Sequence, residues 1–407
     1  IESAFELLKT LVREYPEYAE AQALYAHVTL MNSARMEGHS PWIIAEPQVR
    51  RTLQKASALK PDLPEIYLVE GLLHARAHDP KTAIGFFERA IELNPSYAEA
   101  YRHLSEAAMA LGRTAQAWEA LEHARRLDPI SVSTLTWVVE QATEYGKTEI
   151  ADDAMRVLRQ VAPISADYLN FHLLSDHFRI AEAAIALEDF RVNWPDEDPH
   201  DFHLAYFYAV LGKTDEAMAL HPIARAYIAS ELGQRELALS VMEEEAAKHT
   251  DPHDRADLYW QTYTNLGMHD EALEVLSDLW YGYGGEDIGP KMDIGDAYTL
   301  VLLLRNAGRA DEAAPIAEQV IEINWGTEEA MAPAVRMMEG NYEEALRLMI
   351  ERTKNGRPPI GFTRIRKIYF MLEDLPEYAT LERLTQQWFE EQRALYNELS
   401  AANQSRD

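Results

Sequence analysis

The sequence holds 407 residues, 47% of them apolar, with 38 Lys and Arg against 68 Asp and Glu, a formal charge of −30. That apolar share is too high for disorder, and the negative field disfavours a phosphate backbone or an anionic membrane surface as partner. No cysteine is present, which excludes disulfides, thiolate nucleophiles and cysteine-based zinc sites.

The chain opens at Ile1 without a visible signal peptide. Glu2 to Pro16 already read as half a helical repeat, with Ala4, Leu8, Leu11 and Pro16 in a small–large–apolar–proline register. A second helix without its first would expose an apolar face, so residues 1–16 are expected to be the remnant of a repeat cut within a longer parent. The next proline in register is Pro61, 45 residues on. An insertion is expected near 34–46, with Gly38, Pro41 and Pro47 breaking helical structure.

From Pro61 the register becomes strict. Pro61, Pro95, Pro129 and Pro163 follow one another at 34-residue steps. Ala83, Ala117 and Ala151 keep one fixed offset from these prolines, and Phe87, Leu121 and Met155 keep another. A fixed 34-residue period with this punctuation marks a helix–turn–helix array. Asn94-Pro95 and Asp128-Pro129 are expected to end one helix and start the next.

Beyond Pro163 the register loosens but persists through Ala183, Ala217, Ala238, Ala272, Ala313 and Ala345. A unit is cut short at His221-Pro222, and a glycine-rich insertion falls near 281–290. The array is expected to span 17–372. Residues 373–407 then form a long amphipathic capping helix, with Trp388, Phe389 and Tyr396, and a tail. The basic run Arg364-Ile-Arg366-Lys367 reads as a solvated helix face. No apolar run reaches the length of a membrane span; the longest, Ala297 to Leu304, is too short.

The segments Ala83-Ile-Gly-Phe-Phe87-Glu-Arg-Ala90-Ile-Glu-Leu-Asn-Pro95 and Tyr97-Ala-Glu-Ala-Tyr101 resemble the tetratricopeptide repeat. The resemblance implies an all-α, right-handed superhelix of about ten hairpins whose first helices line a concave groove. A narrower likeness, in Gly38 to Pro61 and Asp374 to Leu384, is to the C-terminal arrays of bacterial membrane-anchored winged-helix regulators and nucleotide cyclases. It implies a periplasmic sensor domain; a free-standing cytoplasmic scaffold is the alternative.

If the first resemblance holds, fixed repeat positions face the groove. They bring Glu99, Arg102, Glu106, Glu140 and Glu144 to its N-terminal half, and Phe178, Phe202, Tyr206 and Tyr227 to its middle. Acids that steer and aromatics that anchor suit a basic or amphipathic peptide. Where chaperone-tail receptors of this family clamp a carboxylate, this chain has Arg102, Glu106, Thr136 and Glu140, and glutamates would repel that ligand.

No catalytic constellation, cofactor motif or metal spacing stands out. Asp196 to His203 and His249 to Asp254 cluster histidines with acids at repeat junctions, where acids serve as helix caps. The loop at 282–289 lacks the Gly-Lys-Ser/Thr of a phosphate loop. An α/α-toroid glycoside hydrolase shares the acidic balance and the 8 Trp and 20 Tyr. Its hairpins would not keep a 34-residue period with alanine and proline punctuation.

Overall fold

The computed structural model describes residues 2–33, 40–77, 79–282, 285, 288, 292–323, 328–361 and 367–404. These residues are almost wholly helical, without an extended strand. The chain divides into two compact units, Ile1–Val161 with Asp287–Asp293, and Ala162–Glu286 with Ile294–Asp407.

The first unit holds α1 (Glu2–Glu14), α2 (Ala19–Ser33), α3 (Ser40–Leu59), α4 (Pro64–Arg76), α5 (Pro80–Leu93), α6 (Ala98–Ala110), α7 (Thr114–Leu127), α8 (Val132–Glu144) and α9 (Thr148–Val161). From α2 onward the helices pack as antiparallel pairs. Consecutive first helices also touch, α2 with α4 and α4 with α6. The register alanines Ala83 and Ala117 are fully buried in these pairs, whereas Ala4 and Leu7 of α1 lie exposed, Leu7 to 70%. Pro95 and Pro129 sit in turns rather than at helix starts, and α6 and α8 begin three residues later. Asn94 Oδ1 accepts from Ser96 N–H at 3.1 Å, and this local bond holds the chain out of helix through the turn.

The first insertion does not break where the prolines suggested. Residues 34–39 and Gly38 lie outside the described residues, but α3 runs unbroken through Pro47. A helix-interior proline costs about 3 kcal/mol. Here Val49 and Leu53, fully buried against α2, outweigh it. Pro41 falls in the first turn, where a missing N–H is harmless. In the glycine-rich loop, Ile288 and Met292 are buried, Met292 to 1% exposure.

The second unit continues with α10 (Pro163–Asp176), α11 (Ile180–Asn193), α12 (Asp201–Val210), α13 (Thr214–Leu220), α14 (Pro222–Glu231), α15 (Arg235–Ala246), α16 (Pro252–Asn265), α17 (His269–Gly282), α18 (Ile294–Asn306), α19 (Ala310–Ile323), α20 (Glu328–Glu339) and α21 (Tyr342–Lys354). These again pair as hairpins, so α2 to α21 make ten hairpins among the described residues, the succession of elements found in an α solenoid. Within most hairpins a glycine with positive φ, such as Gly212 at 80°, turns the chain. Phe178 takes that place between α10 and α11 at φ 58°.

The chain then turns back. A 3₁₀ turn, Lys367–Leu372, packs on α16, α18 and α21, with Phe370 stacked on His269 at 3.8 Å. The last helix, α22 (Tyr378–Gln404), packs on α21 and then on α11 and α12. Instead of only sealing the final hairpin, α22 straps the unit's beginning to its end. Trp388, Phe389 and Tyr396 enter one core with Phe171, Leu187, Phe190 and Phe207. Gln392 Oε1 accepts from Ala181 N–H at 3.1 Å, capping the free start of α11 across the strap. Glu188 Oε1 accepts from the hydroxyls of Tyr208 (2.8 Å) and Tyr396 (2.7 Å). Burial, then that carboxylate, pushes both phenols well above their ordinary range. Arg364 and Arg366 of the basic run lie outside the described residues.

Candidate functional site

Three of the five residues expected in the first unit, Glu99, Arg102 and Glu106, come together. Glu99, Arg102 and Glu106 lie on one face of α6, spaced by single turns. Arg102 Nη1 donates to Glu106 Oε1, and Arg102 Nη2 to His103 Nε2 at 2.6 Å. Because a guanidinium only donates, His103 Nε2 must accept, leaving Nδ1–H to donate to Glu106 Oε2 at 2.7 Å. His103 stacks on Phe87 of α5, with ring centroids 5.7 Å apart. Burial works to raise the Glu106 carboxyl, but His103 and Arg102 beside it hold it below its ordinary value.

Two neighbours that the repeat register did not single out complete the network. His27 of α2 places Nε2 3.5 Å from Glu99 Oε1 and is only 8% exposed. Burial, with His103 and Arg102 adding to it, holds its imidazole below the usual range against the pull of Glu99. Glu65 of α4 acts on the same imidazole and on Tyr97, whose phenol burial, Glu99 and Glu65 push up. The sequence signal for both was their place on neighbouring first helices. Glu140 and Glu144 stand further along, on α8, half-buried and exposed.

The aromatic set divides. Phe202, Tyr206 and Tyr227 share an apolar cluster with Ala205, Ile228 and Leu258. Phe202 meets His221 and Tyr227 edge-on at 5.3 and 6.4 Å. Tyr227 is 5% exposed, so it is packing between helices rather than groove wall. Phe178 lies apart, at its hairpin turn, with its ring on Trp388 at 6.4 Å. In the same unit every residue of α18 from Asp296 to Leu304 is buried.

The histidine-and-acid segment has a structural use. Asp198 Oδ1 accepts from His200 N–H at 2.8 Å where α12 begins, and Asp251 Oδ1 accepts from His253 N–H where α16 begins. His200 and His203 also pack with His172 of α10, ring centroids 5.1 to 6.5 Å apart, beside Tyr168, Phe171 and Phe190. Among the described residues no set of three His, Asp or Glu side chains is placed to hold a metal ion.

Burial, then His203 and His200, hold the His172 imidazole down to about 4. Burial and His200 lower His203, against Asp198. An unfolded histidine takes its proton near pH 6.5, so the unfolded chain binds protons first. Stability from these residues is therefore complete above about pH 6.5 and falls progressively toward pH 4. Urea midpoints should drop across that window, and His172→Asn should flatten the drop. An unchanged pH slope in that variant would refute the assignment.

Residues 74–130 match the family model described as tetratricopeptide repeat. No curated protein sequence matches the chain. Among solved structures, the crystal structure of MamA is similar, with 20% sequence identity over 41% of this chain and 86% of that chain, at a TM-score of 0.28. Neither comparison supports the narrower likeness to membrane-anchored regulators. Among the described residues, no helix is long and apolar enough to cross a membrane.

Proposed function

We propose that the chain is a non-catalytic protein-binding scaffold that takes a basic or amphipathic segment along the inner helices of its first unit. The tetratricopeptide match over residues 74–130 supports protein recognition as the class of activity. The observation that carries the finer reading is the α2–α4–α6 face, where Glu65, Glu99 and Glu106 outnumber the single guanidinium of Arg102. In the second unit the C-terminal segment packs on α16, α18 and α21, with Phe370 on His269. A role as the sensor domain of a larger regulator rests on the likeness of residues 38–61 and 374–384 alone.

A fluorescein-labelled amphipathic basic peptide titrated into the full chain is expected to bind, and to bind several-fold more weakly as salt is raised, since exposed charge is screened. Its acidic counterpart is expected not to bind. Equal binding of both peptides, or salt-independent binding, would overturn the reading.

A further inference from the structure

We propose that the pocket between α10, α11 and the end of α22 seats the guanidinium of an arginine side chain from a partner protein, with Asp167 and Asp189 as its acceptors. The proposal goes beyond the reading above and does not rest on it, because the pocket lies wholly within the second unit.

The pocket follows from how one hairpin meets the strap. Asp167, Asn170 and Leu174 stand one turn apart along α10, and Ile185, Asp189 and Asn193 do the same along α11. The two helices pair, so both stripes border one cleft, which Leu399 of α22 lines as well. Its volume is about 360 Å³, near the small end of the range for ligand pockets, roughly 300–1,000 Å³.

The lining is two-sided. Leu174, Ile185, Ala186 and Leu399 are only half-buried and offer apolar surface that a methylene stem can cover. Asp167, Glu182 and Asp189 line the same space, and among the described residues of the lining none is basic. The Trp194 indole, just past the end of α11, donates to Asp167 Oδ2 at 3.0 Å. That bond orients the carboxylate and leaves its charge, since an indole is a neutral donor. Glu182 already accepts from Arg179 Nε at 2.6 Å. Asp167 is half-buried and Asp189 exposed, so a side chain entering from solvent passes one on its way to the other.

An arginine suits this lining better than a point cation. Glu182 and Asp189 are seven residues apart, about 10 Å along the helix axis, so one ammonium cannot meet both. Among the described residues no three His, Asp or Glu side chains are placed to hold a metal ion. A guanidinium carries five N–H donors on a planar fork and is more weakly hydrated than an ammonium. It can bond separated oxygens, those of the Asn170 and Asn193 amides included.

The test uses the full chain and three capped pentapeptides, alike except for a central arginine, lysine or citrulline, with agmatine as a further probe. Methyl NMR shifts at Leu174 and Ile185 report the pocket, and those at Ile66 of α4 report the first unit. The arginine peptide is expected to shift Leu174 and Ile185 saturably. It should bind about tenfold more tightly than the citrulline peptide, which keeps the shape and loses the charge. Asp167→Asn, which retains an oxygen for Trp194, and Asp189→Asn are each expected to weaken it by about three- to fivefold, the scale of a half-exposed ion pair.

Arginine and citrulline peptides that bind alike would sink the pocket. Shifts at Ile66 with Ile185 silent would sink it too, and would leave the first-unit reading standing. Equal binding of the lysine peptide would overturn the guanidinium, and tighter binding of agmatine than of the arginine peptide would overturn a protein side chain as its source. Should Asp167→Asn fail to fold, Asp189→Asn and the citrulline comparison decide.

Discussion

Phe389→Ala is expected to destabilise the second unit by about 3–5 kcal/mol, the usual cost of truncating a buried phenylalanine. The ring is fully buried in the core that joins α22 to Phe171, Phe190 and Phe207. Its loss leaves a cavity that neighbours on three helices cannot close, because Trp388 and Tyr396 are fixed on either side by Phe178 and Glu188. The same helix carries Gln392, which caps α11, so the start of α11 should fray as well. Gln386→Ala, on the exposed side of α22, should change stability by less than about 0.5 kcal/mol. Urea denaturation gives the energies, and amide exchange at Ala181 reports the cap. Equal effects of the two substitutions would show that α22 lies loose on the unit.

The second large effect concerns the most regular repeat. A Cβ built on Gly71 of α4 would stand 2.4 Å from Phe87 Cε1, well inside contact distance. Phe87→Ala is expected to cost about 3–5 kcal/mol. Gly71→Ala alone should cost about 1–3 kcal/mol by overpacking, although alanine is the better helix former by about 1 kcal/mol. In the Phe87→Ala background the clash is gone, so Gly71→Ala should change sign and stabilise. The double-mutant cycle measures that coupling. Independent, additive effects would mean that the glycine and the ring do not share one space.

That pair shows why so much of the fold was legible. Gly71 and Phe87 lie in adjacent helices of one hairpin, and Ser105 and Leu121 take the same places 34 residues on. Periodicity reports contacts between neighbours in sequence. It reports nothing about contacts that occur once. Tyr396 and Glu188 are 208 residues apart, and nothing repeated in the chain announces their meeting. The strap could be read as an amphipathic helix, but not where its apolar side would go.

The candidate site divides in the same manner. Glu99, Arg102 and Glu106 were legible because single-turn spacing on one helix fixes their common face. His27 and Glu65 join them from other helices, and helix period alone does not say which side chain reaches across. Tyr227 was misplaced because a tyrosine at helical spacing serves equally as packing or as groove wall, and only its neighbours decide. Phe178 was misplaced for a different reason. The turn it occupies ordinarily takes glycine, and a phenylalanine endures the left-handed backbone, at roughly 1–2 kcal/mol, where its ring is held by Trp388. Pro47 reads as a breaker in any local scheme, and tertiary packing on α2 overrode it.

Where a basic segment docks is the central claim, and amide hydrogen exchange on the full chain with and without the amphipathic basic peptide tests it most directly. Slowed exchange is predicted on α2, α4 and α6, with their partners α5 and α7 unchanged. Protection confined to α5 and α7, or to helices of the second unit, would contradict it.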